Sequence, residues 1–328
     1  MELGAIFLNV LLPVLLMVGL GALLRWRFEL DLSTLSKVNL YLMTPAFIFD
    51  RVTHASLGWQ EMAGTILATI ILLTVLGTTV GMAGKALGAS RATTAAIATA
   101  VMFYNSGNVG LPLAELAYPP DSPHGSGGVA QAFVVLTQNV MTFTVGLVIA
   151  SSAAAHSFKQ IAVRLLSLPV LYTLTAALAT RWWLGLSSDN HIPKAIDATC
   201  KYLAGGLIPV ALVLLGAQLM HKPRWPRWKP VSAVLVIRLF AAPAVMAGLL
   251  YAFHRLLPHT MLDLWPWPAE QIIFTAAVPT AVNTLILTME LDGDTDLAAD
   301  CVFWTTLLSA LTLGPWLLAS RWIMATFP

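Results

Sequence analysis

The chain has 328 residues, of which 58% are hydrophobic and only 10% are charged, and its formal net charge is +2. Soluble proteins carry about 25% charged residues, so this composition excludes an ordinary soluble globular protein and predicts an integral membrane protein. The small net charge gives no sign of a nucleic-acid partner, and we predict none.

Apolar segments recur along the whole chain, and a helix that crosses a bilayer needs roughly 20 mostly apolar residues. We predict an all-α protein with ten spans, which are, in order, Leu3–Leu24, Leu35–Phe49, Met62–Gly84, Ala92–Ala114, Gly127–Ala155, Leu165–Leu186, Tyr202–Met220, Val231–Phe253, Ile272–Met289 and Cys301–Ser320. We interpret the first span as a retained helix, because Glu2 stands where the basic region of a signal peptide belongs.

The basic residues divide unevenly between the two sets of predicted loops. The loops after the odd-numbered spans hold ten Lys or Arg residues, and the opposite side holds five. Cytoplasmic loops carry the excess of positive charge. This pattern predicts a multi-pass protein of the cell inner (plasma) membrane with both termini outside.

Similar residues recur in the two halves of the chain. The tetrapeptide LPVL occurs in the first and sixth spans, and the pair Asn108 and Glu115 recurs as Asn283 and Glu290, with separations of about 156 to 175 positions for the whole set of matches. An odd number of spans in each repeat forces the halves into opposite orientations. We therefore predict inverted five-helix repeats at residues 1–155 and 156–328, with chance similarity as the alternative.

The stretch VMFYNSGNVGLPLAEL, Val101–Leu116, concentrates polar and helix-breaking residues inside an apolar span. Within Tyr104–Pro112, we expect Gly107, Gly110 and Pro112 to break the fourth span, and Pro279 to break the ninth. Irregular backbone at membrane depth is tolerated where it is buried in protein or lines a cavity. The alternative is that the prolines and glycines only kink packed helices.

Polar side chains beside both predicted breaks are candidate substrate ligands. Half-helices that begin inside the membrane present free N–H groups and partial positive charge, which suit an anionic group such as a carboxylate. The predicted substrate-binding residues are Asn105, Ser106, Asn108, Thr280 and Asn283.

Four charged residues are candidates for coupling or gating. Asp50 could take a coupling proton or form an ion pair with Arg51, and Arg238 could bind an anion or form a buried structural ion pair. Glu115 and Glu290 follow the breaks by about two turns, which predicts gate or loop residues near the membrane faces.

Motifs for metal, nucleotide or enzyme chemistry do not occur in the sequence. The segment DGDTD at Asp292–Asp296 begins like a calcium loop, but Leu297 and Phe303 stand where such a loop needs Gly and Glu. The histidines form no H-E-x-x-H pair, and no P-loop or nucleophile elbow is present. We expect no metal, no cofactor and no enzymatic activity.

The segments NSGNVGLPL, LIPVALVLLGAQL and VPTAVNTLILTMELDGD resemble the auxin efflux carrier family of permeases over nearly the whole chain. The resemblance implies the inverted-repeat fold shared with bile acid/sodium symporters, with spans four and nine crossing. It also implies a scaffold of spans one, two, six and seven, a mobile core of spans three to five and eight to ten, and a homodimer. The carboxylate-binding Asn of plant members matches Asn105, and Tyr104 stands where their crossover proline precedes it.

These observations predict a secondary transporter in the lipid bilayer for a small organic acid anion such as malate, malonate or an auxin-like carboxylate. It would work by alternating access around the crossing, with proton coupling or a uniport driven by membrane potential. The alternatives are a sodium- or proton-coupled cation antiporter or symporter on the same fold, and a non-transporting membrane sensor.

Overall fold

The described part of the chain in a computed structural model comprises residues 4, 8, 10, 12–55, 57–150, 163, 166–184, 194–220, 225–291 and 293–327. These residues are helical apart from short connections and one isolated backbone bridge. The helices are α1 (Leu12–Arg27), α2 (Leu32–Val38), α3 (Thr44–Thr53), α4 (Trp59–Ala86), α5 (Arg91–Met102), α6 (Leu111–Ala117), α7 (Gly127–Met141), α8 (Leu147–Ala150), α9 (Pro169–Leu184), α10 (Lys194–Leu219), α11 (Trp228–Val236), α12 (Ala242–Leu256), α13 (Ala269–Thr275), α14 (Val282–Glu290) and α15 (Thr295–Thr326).

Continuous apolar helices dominate the described residues, and five of them are long and apolar enough to cross a membrane. They are Trp59–Ala86, Gly127–Ala150, Ala195–Leu219, Trp228–Leu256 and Thr295–Thr326. They correspond to the third, fifth, seventh, eighth and tenth predicted spans. The prediction of an all-α membrane protein is therefore confirmed.

Several predicted spans differ from the observed helices in their limits. The second span is a longer helical run, Leu32–Thr53, in which a π-helical turn at Asn39–Met43 joins α2 to α3. The fourth and ninth spans are each divided into two short helices, α5 with α6 and α13 with α14. The predicted repeat boundary at residues 155 and 156 and the start of the first span lie outside the described residues.

Side-chain caps explain where several helices begin. Asp31 accepts hydrogen bonds from the N–H groups of Ser33 and Thr34 at 3.0 and 3.3 Å and so caps α2. Ser90 accepts from the Thr93 N–H at the start of α5, and Asp294 does the same for Leu297 at the start of α15. These residues satisfy N–H groups that the first helical turn leaves without a partner.

The helices form two compact units. Unit 1 comprises Met1–Leu57, Gly107–Ala132 and Leu166–His221. The most extensive packing between two of its helices is that of α1 on α10, and small residues allow these two backbones to approach closely. A Cβ atom added at Gly21 would lie 1.9 Å from the Val213 carbonyl oxygen, and one at Gly216 would lie 1.8 Å from that of Val18.

Unit 2 comprises Gly58–Ser106, Phe133–Leu165 and Lys222–Pro328. Helix α4 packs on α5 and α12, and the long helix α15 packs on α5, α11 and α13. The core of the unit contains the end of α5 and α13, of which every residue except Glu270 is buried. These two helix ends position the candidate functional site.

Candidate functional site

Two broken helices meet in the core of unit 2. Helix α5 ends at Met102, and Tyr104 then pairs with Thr280 in an antiparallel backbone bridge. The Asn105 N–H donates to the Pro279 carbonyl at 2.8 Å, and the Ala281 N–H donates to the Phe103 carbonyl at 2.9 Å. These bonds satisfy backbone groups that the breaks remove from their helices. We call the segments Phe103–Ser106 and Val278–Ala281 the crossing.

Thr280 is bonded at both its backbone and its side chain. Its N–H donates to the Thr305 hydroxyl at 3.1 Å, and its own hydroxyl donates to the Ala100 carbonyl at 2.8 Å. Both threonine side chains are fully buried. Thr280, one of the predicted substrate ligands, therefore links the crossing to α15 and to the end of α5 by hydrogen bonds.

The other predicted ligands occupy different places. Asn105 and Ser106 are buried at the crossing, with 6% and 5% of their surface exposed. Asn283 lies in the first turn of α14 with an exposed side chain. Asn108 belongs to unit 1, where its side-chain oxygen accepts a hydrogen bond from the Asn39 amide at 3.0 Å.

The first break differs from its predicted cause. The chain leaves the helix at Phe103, before any of the predicted glycines or the proline, and resumes as a π-helical turn at Ser106–Gly110. Gly107 and Gly110 lie in that turn, and Pro112 lies at the start of α6. The π-helical turn passes directly into α6, so the helical run from Ser106 to Ala117 continues through Pro112. Pro279 lies between α13 and α14, within the second break.

Arg238 contacts the ends of both broken helices in unit 2. Its guanidinium donates to the Val101 carbonyl at 2.9 Å and to the Ala276 carbonyl, and its central carbon lies 4.6 Å from the centre of the Tyr104 ring. Arg238 is fully buried. Within the described residues it forms no ion pair with a carboxylate, so the predicted buried ion pair is absent from this part of the chain.

Unit 1 contains a charged cluster that includes two predicted residues. Arg51 pairs with Asp50 and with Glu115. Glu115 Oε1 accepts from Arg51 Nη2 at 2.7 Å and from Arg51 Nε at 2.8 Å, and the Ser126 hydroxyl donates to Glu115 Oε2. Asp50 and Glu115 are 3% and 6% exposed. Glu115, the predicted gate or loop residue, lies in α6 and is buried within unit 1. The ion pair between Glu115 and Arg51 links α6 to α3 within unit 1.

One group of described residues has the geometry of metal ligands. Asp50, His54 and Asp197 offer atoms that all lie within 4.8 Å of one another. Arg51 already neutralises Asp50, and Lys201 contacts Asp197 at 2.8 Å. These carboxylates already act as counter-charges, so the arrangement gives no independent reason to expect a metal.

The predictions omitted some residues that the structure brings to these sites. Thr305 supports the crossing through its hydrogen bond with the Thr280 N–H. Asn39 was missed because its partner Asn108 is 69 positions away in the chain, and Ser126 was missed because no sequence motif links it to Glu115. Glu290 is the last residue of α14, and its side chain lies outside the described atoms.

Comparison with known proteins gives consistent matches. Residues 169–317 match the model of a family described as membrane transport protein. An uncharacterized transporter of Methanothermobacter thermautotrophicus is 27% identical over 314 residues, which cover 93% of this chain and 95% of that protein. Protein PIN-LIKES 5 of Arabidopsis thaliana is 26% identical over 141 residues, or 42% of this chain and 35% of that protein. The chain is thus a multi-pass membrane protein that is similar to membrane transport proteins, and its resemblance to the auxin efflux carrier family is confirmed.

Proposed function

We propose that the protein is a secondary transporter for a small organic acid anion such as malate, malonate or an auxin-like carboxylate, and that it works by alternating access around the crossing. The observation that carries this proposal is the bridge between Tyr104 and Thr280 deep in unit 2. Two helices interrupted at one buried point leave polar backbone in an apolar core, an arrangement that transporters use for substrate sites.

The chemistry around the crossing favours an anion. The described side chains that form it are neutral, and the first turn of α14 carries no acidic residue that would offset its partial positive charge. Among the described residues of unit 2, the buried charged side chain beside the crossing is the cation Arg238. A cation antiporter would need a carboxylate at this place to bind its ion. An anion carrier needs the neutral and positive surroundings that these residues supply.

We also propose the complete architecture of ten spans arranged as inverted repeats at residues 1–155 and 156–328. The antiparallel direction of the bridge supports the inversion, because equivalent segments of inverted repeats run in opposite directions. Tyr104 and Thr280 are also separated along the chain by nearly the same interval as Asn108 and Asn283.

A scaffold and a mobile core belong to the same proposal. The grouping of α1, α2, α3, α9 and α10 in unit 1 supports a scaffold of spans one, two, six and seven. Unit 2, with the crossing, supports a core of spans three to five and eight to ten, although Gly107–Ala132 groups with unit 1. A homodimer in the inner membrane, with both termini outside, completes the proposal.

The proposal is tested by charge movement in proteoliposomes on a solid-supported membrane. Malate, malonate and indole-3-acetate are applied in turn at several pH values to the parent and to an Asn105→Ala/Asn283→Ala double variant. We expect a carboxylate to give a current in the parent and a current reduced at least about 10-fold in the variant, since a lost hydrogen bond to a charged group is worth about 1.5 to 3 kcal/mol.

A matched control separates site effects from damage to the membrane protein. Thr74→Ala removes an exposed hydroxyl that bonds only within its own helix, to the Ile70 carbonyl, and should leave the current unchanged. Electroneutral exchange moves no net charge across the membrane and so produces no current. Uptake of labelled malate, malonate and indole-3-acetate is therefore measured in parallel. A current with sodium or a pH step, without carboxylate transport, would establish the cation antiporter in place of the anion carrier. No transport of any solute would favour the non-transporting sensor.

A further inference from the structure

Arg238 is an isolated buried charge. In the part of unit 2 that the structure describes, it is the only charged residue whose side chain is buried. Moving a guanidinium out of water is costly unless an opposite charge and hydrogen bonds replace the lost hydration. Arg238 has the hydrogen bonds without a carboxylate partner among the described residues.

The partners of Arg238 are the ends of two half-helices. Val101 lies in the last turn of α5, and Ala276 is the residue that follows α13. The carbonyl groups at a helix end carry partial negative charge, so two such ends partly balance one guanidinium. They balance it only in part, and the Arg238 Nε is also buried without a hydrogen-bond partner.

The Arg238 guanidinium lies beside the crossing. The guanidinium lies against the face of the Tyr104 ring, and Tyr104 is itself bridged to Thr280. Arg238 also lies in a π-helical turn, Ile237–Ala241, inside an otherwise α-helical span. Single π-helical turns inside α-helices are frequent at functional sites.

We propose that Arg238 sets the charge selectivity of the crossing. It acts as a positioning residue that holds the ends of α5 and α13 together, and its uncompensated positive charge favours a ligand that carries a negative charge. The carboxylate of the ligand completes the neutralisation that the two helix ends begin. This inference rests on the proposed transport of organic anions and deepens it by naming the group that selects the charge.

The test separates the charge of Arg238 from its hydrogen bonds. Arg238→Lys keeps the charge and loses the planar donor pair, whereas Arg238→Gln keeps an amide donor and loses the charge. Gln138→Glu is an independent variant that leaves Arg238 intact and places a carboxylate beside the Tyr104 hydroxyl. Each purified protein is titrated with malonate and malonamide, and with indole-3-acetate and indole-3-acetamide, while binding is followed by calorimetry.

The measured quantity is the affinity ratio between each carboxylate and its neutral amide. We expect Arg238→Gln and Gln138→Glu to lower this ratio at least about 10-fold, which corresponds to about 1.4 kcal/mol, while Arg238→Lys keeps it within about 3-fold. A purely structural role would weaken carboxylate and amide equally and leave the ratio unchanged. An unchanged ratio in Arg238→Gln and Gln138→Glu would overturn the proposal, and Gln138→Glu alone decides it if Arg238→Gln does not fold.

Titration of the parent with phosphate, sulfate and chloride distinguishes failure of this inference from failure of the proposed function. If the parent binds one of these anions but no carboxylate, and Gln138→Glu abolishes that binding, the role of Arg238 stands while organic acid transport fails. If the parent binds no anion at all, both proposals fail. If carboxylates bind and the ratio does not change in the variants, the transport proposal stands and the role of Arg238 is overturned.

Discussion

Single polar side chains satisfy the broken and irregular helices of this protein. The Thr280 hydroxyl reaches the Ala100 carbonyl, a backbone group that the end of α5 leaves without a helical partner. Asn39 similarly bonds to Asn108, and Ser126 to Glu115. In an apolar interior an unsatisfied polar group costs more than the bond itself contributes. The buried polar residues are therefore required by the broken backbone as much as by any substrate.

Substitution of Thr280 tests this structural role. Thr280→Val keeps the shape of the side chain but leaves the Ala100 carbonyl buried without its donor, and we expect a loss of about 1 to 3 kcal/mol in stability. Thr280→Ser keeps the hydroxyl and should recover at least half of that loss. Unfolding of the purified protein in detergent, followed by tryptophan fluorescence, gives the comparison. Equal losses in the two variants would show that packing of the methyl group matters instead of the hydrogen bond.

At the scale of helices, the chain combines apolar segments with polar ends. Asp294 begins the longest helix, α15, by accepting from the Leu297 N–H and from Arg227 at 2.5 Å. Burial raises the pKa of Asp294, but these hydrogen bonds and the Arg227 charge outweigh burial and bring its pKa below the ordinary value of 3.8. The carboxylate is therefore more stable in the folded protein than in the unfolded chain.

This lowered pKa predicts a specific dependence of stability on pH. The stabilisation is present above the unfolded pKa near 3.8 and is lost as the pH falls through the lower folded pKa. Asp294→Asn keeps a capping oxygen and removes the charge, so we expect it to lower stability by about 1 kcal/mol at pH 7. The difference in melting temperature between parent and variant should shrink below pH 4. A difference that stays constant down to pH 3 would contradict the charge-based explanation.

Close packing of α1 on α10 leads to a second prediction about helices. Gly216→Ala would place a methyl group 1.8 Å from the Val18 carbonyl oxygen, so the two backbones must separate. We expect a loss of at least about 1 to 3 kcal/mol, the usual cost of overpacking. Gly205→Ala on the same helix is the matched control, because a Cβ atom there meets nothing within 4 Å. Thermal unfolding of both variants decides the matter, and similar melting temperatures would exclude this close contact.

At the scale of the whole molecule, function depends on where the chain enters and leaves the membrane. The distribution of Lys and Arg predicts that the loops after the odd-numbered spans are cytoplasmic and that both termini are outside. Alkaline phosphatase, which is active only outside the cytoplasm, is fused after Phe327 and, in a truncated chain, after Lys222. We expect activity for the first fusion and none for the second. The reverse pattern would invert the topology and the direction of every proposed transport step.

Hydropathy and local signals determined much of the architecture. The apolar segments identified the membrane class and located the five long helices, because burial in lipid requires a length and composition that can be counted directly. The resemblance to transport proteins could also be identified from short motifs such as NSGNVGLPL. Interruptions in the fourth and ninth spans were visible, since glycine, proline and clustered polar residues weaken a helix locally.

Only the tertiary structure decided how the broken segments are satisfied. The bridge between Tyr104 and Thr280, the bond from Thr280 to Ala100, and the two carbonyl partners of Arg238 join residues far apart in the chain. The same holds for the ion pair between Glu115 and Arg51. A helix can be predicted from neighbouring residues because its backbone hydrogen bonds join residues close together in the chain. A break needs partners from elsewhere in the fold, and residue composition alone does not specify them.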